Sequence, residues 1–161
     1  MISGYRVFLI YLILTFYCFG AAMMNEIVEY QSWADLGNYI TAADFAKWHA
    51  ATSRQTLPIL VLPMIVITLT AISLIWFLPP VIPRWTLWIV LSCHAVAWCS
   101  TIFVQVPLEM QLSTTGYSRM LTEQLIQSDW IRKGAFFVEI PIVLFMTFHL
   151  FNKTLKSRMQ V

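Results

Sequence analysis

Three stretches of this chain carry no charge at all: residues 7–24, 57–78 and 85–108, runs of 18, 22 and 24 residues. A fourth, residues 135–152, is interrupted only by Glu139. A hydrocarbon core about 30 Å thick needs roughly 20 apolar residues in a helix, so each run is long enough to cross it. Inside a membrane the backbone must satisfy its own hydrogen bonds, which leaves helices or a closed barrel. Alternating apolarity is absent, and a barrel is excluded with it. The expectation is an all-α integral membrane four-helix bundle, one domain over residues 1–161. Arg6 before the first run and Gly20-Ala21-Ala22 after it resemble a signal peptide, but the run is long enough to read as a retained helix.

Composition agrees. The chain is 59% hydrophobic and 11% charged, against about 25% charged in soluble domains. A net charge of +2 offers no basic face, so no nucleic acid is expected as a partner. Cys18, Cys93 and Cys99 all fall inside spans and read as small apolar fillers.

Both termini and the turn at residues 79–84 share one side. They carry Arg6, Arg84, Lys153, Lys156 and Arg158 in short segments without an acid. The positive-inside rule then puts both termini in the cytoplasm, with the bacterial inner membrane as the location. The two longer loops lie on the other side. Thr41-Ala42-Ala43-Asp44 resembles a capping box, so the second helix is expected to start near Ala42. Residues 117–130 suit a short amphipathic helix on the outer surface.

Polar groups gather at that outer end. Glu26, Glu29, Tyr30 and Trp33 are spaced i, i+3, i+4 and i+7, one helical face. His49 and Gln55 begin the second helix, Gln105 and Glu109 end the third, and Asp129, Trp130, Arg132 and Glu139 open the fourth. Arg132 and Lys133 are candidates to pair with Asp129 or Glu139. All four helices thus bring polar groups to one layer, and helix bundles build their sites this way. One imidazole with carboxylates suits a divalent metal, with His49, Glu26, Glu29 and Glu109 as the candidate ligands. A neutral imidazole beside carboxylates suits a general base instead. Haem is disfavoured, because His94 and His149 stand at unmatched depths. His94 is expected to hydrogen-bond a neighbouring helix. Pro58, Pro63, Pro107 and Pro141 each remove a backbone donor, and three of them flank the outer layer.

Several segments together carry a resemblance. They are Glu29-Tyr30-Gln31-Ser32-Trp33, Phe45-Ala46-Lys47-Trp48-His49, Pro63-Met64, Gln105-Val106-Pro107-Leu108, Gln111-Leu112 and Ser128-Asp129-Trp130-Ile131-Arg132. The chain resembles small bacterial four-span proteins of unknown function, a family similar to the membrane proteins that include fungal anthrone oxygenases. Glu109 and Asp129 depart from that family's pattern. The resemblance implies oxidation of a polycyclic aromatic phenol by dioxygen, with His49 as base and Trp98 as aromatic wall.

The leading expectation is an oxidoreductase-like protein acting on a lipophilic aromatic or quinoid molecule. His49, Glu29 and Glu109 would be its catalytic residues, and Glu26, Trp33, Trp98, Gln105 and Asp129 its binding walls. The alternative is a non-catalytic accessory subunit or assembly factor, partnered by a larger membrane complex or by copies of itself.

Overall fold

The computed structural model describes residues 4–158. Helix α1 runs over Gly4–Leu36, α2 over Ala42–Phe77 and α3 over Arg84–Thr115. The fourth rod is made of α4 (Arg119–Ser128) and α5 (Trp130–Arg158), separated by the single non-helical residue Asp129. There is no strand among the described residues, and the fold is an all-α bundle with four rods long and apolar enough to cross a membrane. The chain is an integral membrane protein. Each rod extends beyond the apolar run that marks it in the sequence, so the bundle projects past the spans at the end away from the chain termini. That end is called distal below.

Local chemistry sets the helix ends. Thr41 caps α2, its hydroxyl oxygen accepting the Asp44 N–H at 3.2 Å, so the helix starts at Ala42 as the capping motif predicts. α2 stops at Phe77 because Leu78, ahead of Pro79, is held extended. α3 stops at Gly116, whose φ of 85° favours glycine. A Cβ on Gly116 would overlap the Ala42 carbonyl, and one on Gly37 would overlap the Tyr117 ring. The two distal loops are therefore closed against each other, and the Tyr117 hydroxyl donates to the Ala34 carbonyl at 3.2 Å.

Two cores result. The membrane core packs Phe8, Tyr11, Ile67, Leu74, Val90, Val143 and Met146. A smaller distal core packs Tyr30, Trp33, Phe45, Leu112, Leu121 and Leu125. The predicted amphipathic helix exists as α4, but it is part of this core. Its Leu121 and Leu125 are buried beneath the distal end of α1, because they are the apolar face that the cap needs.

Where the cores meet, every rod is irregular. π-helical turns occupy Asn25–Tyr30, Leu57–Val61 and Thr101–Gln105, and Asp129 breaks the fourth rod. Two of these turns touch prolines, which lack the N–H that would close a normal turn. Pro63 leaves the Ile59 carbonyl free, and the Tyr17 hydroxyl donates to it at 3.0 Å. The irregular turns let the helices change partners. In the half near the termini α1 packs on α2 and α3 on α5, whereas distally α2 packs on α3.

Gly116→Ala should cost on the order of 1–3 kcal/mol from backbone strain alone, read as a lower midpoint of thermal unfolding in mild detergent. An unchanged midpoint would show that the two loops do not close as described.

Candidate functional site

A buried ionic layer lies between the two cores. Glu26 of α1 pairs with Lys133 of α5 at 2.7 Å, and both are about nine-tenths buried or more. Asp129 pairs with Arg132, one helical turn on. Arg132 Nη2, which faces Asp129, also donates to the Tyr30 hydroxyl at 3.2 Å. The Tyr30 hydroxyl in turn stands 3.2 Å from Glu109 Oε1 and 3.4 Å from Gln105 Oε1, as donor. Gln105 donates its amide to Ser128 Oγ at 2.8 Å. Glu26, Gln105, Glu109 and Asp129 are thus brought together as predicted, but as hydrogen-bonding partners of Tyr30, Arg132 and Lys133. Arg132 does pair with Asp129, while Lys133 takes Glu26 and Glu139 is left to other partners.

His49 is fully buried in the distal core. Its Nδ1 lies 2.8 Å from Ser113 Oγ, and Ser113 spends its own proton on the Glu109 carbonyl at 3.0 Å. With the Ser113 proton so directed its oxygen accepts from Nδ1–H, and the tautomer assigned on that basis leaves the lone pair on Nε2. Among the described residues His49 Nε2 has no hydrogen-bond partner, nor has the buried Trp33 Nε1. The Trp33 ring meets the imidazole edge-on, centroids 4.5 Å apart, and Phe45 stacks on it at 5.7 Å.

Glu29 parts company with Glu26 and Tyr30. The straight-helix spacing places all three on one face, but the π-turn over Asn25–Tyr30 turns them apart. Glu26 and Tyr30 are buried, whereas Glu29 lines a groove between α1 and α2. The groove has a volume of about 790 Å³. It opens where α2 leaves α1 for α3. Its distal end carries Glu29, Ser32, Trp48, Thr52 and Gln55, and its other end Phe16, Tyr17, Gly20, Ala21, Ile59 and Leu60. Behind Asn25 and Leu60 a closed cell of about 10 Å³ separates the groove from Asp129, Arg132 and Lys133.

Trp98 is elsewhere. It belongs to a chain of polar side chains within the membrane core, its indole N–H donating to Thr68 Oγ1 at 2.9 Å. Thr68 Oγ1 is 3.1 Å from His94 Nδ1, the interhelical hydrogen bond expected of that histidine. His94 Nε2 lies 3.5 Å from Glu139, which also accepts the Tyr11 hydroxyl. Every membrane-crossing helix contributes to this chain. Tyr11 and Thr68 had no distinguishing signal in sequence, since isolated hydroxyls are common in spans; Glu139, as a lone charge there, demanded a partner.

The predicted metal set does not converge. Among the described residues no three His, Cys, Asp or Glu side chains cluster closely enough to hold a metal ion. Ser113, Trp33 and Phe45 surround the imidazole, Lys133 holds Glu26, and Glu29 faces the groove. The three cysteines are free thiols. In comparisons with protein families, curated proteins and solved structures, nothing matches this chain.

Lys133→Ala should strand Glu26 as a buried unpaired charge and cost about 3–5 kcal/mol. The double variant E26Q/K133M should recover most of that loss in thermal or denaturant unfolding. Equal destabilisation by the single and double variants would exclude a desolvated pair.

Proposed function

We propose that the chain takes a lipophilic aromatic or quinoid molecule from the bilayer into the α1–α2 groove and acts on it in oxidoreductase-like chemistry. The location in this reading is the bacterial inner membrane, with both termini cytoplasmic and the distal cap outside. The observation that carries it is the gradient along the groove. One end is apolar and aromatic, and the distal part presents the Glu29 carboxylate, the hydroxyls of Ser32, Thr52 and Thr56 and the amides of Asn25 and Gln55. Such a cleft matches a molecule with a hydrocarbon body and a polar head. Its rim residues Met24, Val28 and Ile59 are exposed on the bundle surface, so entry is sideways, from lipid.

The chemistry rests on the resemblance to anthrone oxygenases and on His49. Nε2 is an uncommitted lone pair in a buried, aromatic-walled position, the condition of a general base. Its chain neighbours Trp48 and Thr52 form the groove wall but His49 itself does not, so that turn must shift for the imidazole to meet the ligand. Glu29, on the wall itself, would orient the head.

A Cβ at Gly20 meets nothing within 4 Å, so a larger side chain there projects into the groove without touching the core. Gly20→Phe should reduce binding of a decyl-substituted hydroquinone by about tenfold or more, the effect of filling a pocket with some ring-sized volume, while the unfolding midpoint stays put. Unaltered binding would remove the groove from the mechanism. His49→Ala should keep binding and abolish aerobic oxidation of the same hydroquinone; retained turnover would remove the base.

The accessory-subunit reading is favoured by Tyr39, Met110 and Met120, apolar side chains left exposed on the distal cap. Stoichiometric co-purification of other membrane subunits, together with an inert groove, would decide for it.

A further inference from the structure

We infer that the lipophilic aromatic molecule the groove selects carries a protonated amine at its head, so that the preferred ligand is a lipophilic organic cation. The inference rests on the groove being a site for a lipophilic molecule, and it adds the charge of that molecule.

Glu29 is the only carboxylate among the residues lining the groove, and no Lys, Arg or His lines it. No ion pair involves its carboxylate among the described residues. Lys133 is committed to Glu26, Arg132 to Asp129 and Arg119 to Glu123. The distal half as a whole carries seven acids, Glu26, Glu29, Asp35, Asp44, Glu109, Glu123 and Asp129, against five bases, Lys47, Arg54, Arg119, Arg132 and Lys133. A ligand head at this end therefore meets a negative potential at short range and at long range alike.

Two of the three Ser and Thr hydroxyls of the wall point the same way. Ser32 gives its proton to the Glu29 carbonyl at 2.7 Å, and Thr52 gives its own to the Trp48 carbonyl at 3.1 Å or to that of His49 at 3.2 Å. Both oxygens are left with lone pairs and no proton to offer, so they serve a donor and not an acceptor. An ammonium supplies up to three donors to them and to the carboxylate. Trp48 stands at the same end of the groove, and its indole face is the preferred aromatic partner of a cation. A carboxylate head finds repulsion from Glu29, and a neutral head finds the donors and acceptors of Asn25, Gln55 and Thr56 but no charge to match.

The test uses the full-length protein in nanodiscs of zwitterionic lipid, so that the bilayer adds no charge preference. Three probes share one body: para-decylbenzylamine, protonated at neutral pH, para-decylbenzyl alcohol and para-decylbenzoate. The amine is expected to bind about tenfold more tightly than the alcohol, the size of one desolvated cation–aromatic and charge contact, with the benzoate weakest. Glu29→Gln keeps size and hydrogen bonding at a half-exposed position, and it should bring amine and alcohol to within about twofold of each other. Equal binding of amine and alcohol by the wild type, both displaced in Gly20→Phe, would overturn the cation inference and leave the groove standing. An amine preference that survives Glu29→Gln would likewise overturn it, by placing the selective charge elsewhere. Binding of no probe, or binding indifferent to Gly20→Phe, would remove the groove reading itself.

Discussion

Two ion pairs shut away from water, Glu26–Lys133 and Asp129–Arg132, govern how the halves of this molecule meet. Charges in a low-dielectric interior are tolerable only when paired and hydrogen-bonded. The pairs must therefore form at one level, and that level becomes the boundary between the membrane core and the distal core. Tyr30 extends the network from Arg132 to α3, so α1, α3 and α5 are held in register at the same depth. The irregular turns sit at this level too. A backbone carbonyl freed by proline needs a partner inside a membrane protein, and Tyr17 provides one for Ile59.

The exchange of helix partners at the boundary has a geometric consequence. α2 packs on α1 near the termini and on α3 distally, so α1 and α2 diverge, and the divergence is the groove. Its polar end is then placed beside the ionic layer and its apolar end beside lipid. Deeper in the membrane core, the chain from Tyr11 through Glu139, His94 and Thr68 to Trp98 ties the four membrane-crossing helices by hydrogen bonds and by the 3.5 Å approach of His94 Nε2 to Glu139. That network specifies the lower bundle much as the ion pairs specify the upper joint.

Much of the architecture was legible because apolar length is a one-dimensional quantity. The four runs and the Thr41–Asp44 cap read directly as elements, and the rods are longer only because their amphipathic outer turns continue the helices past the lipid. The convergence of Glu26, Gln105, Glu109 and Asp129 was legible too, since equal depth can be counted along antiparallel rods. Rotation about the helix axis was not. Counting at a straight-helix period put Glu29 with Glu26, but the π-turn between them sends one to the groove and the other to Lys133. Trp98 continues the face of Gln105 by spacing, yet it lies below the π-turn at Thr101–Gln105 and turns to Thr68 instead.

By itself the sequence determined that this chain enters a membrane as four helices, and that its charges are sorted, with the acids at the distal end. Both follow from the cost of burying polar groups in hydrocarbon, which acts on each segment independently of its neighbours. The tertiary structure alone decided which acid meets which base, that His49 is sealed among aromatics away from the carboxylates, and that a groove opens between α1 and α2. Those depend on how each helix is rotated and where it changes partner, and three short π-turns and one broken residue settle that only when the rods are packed together.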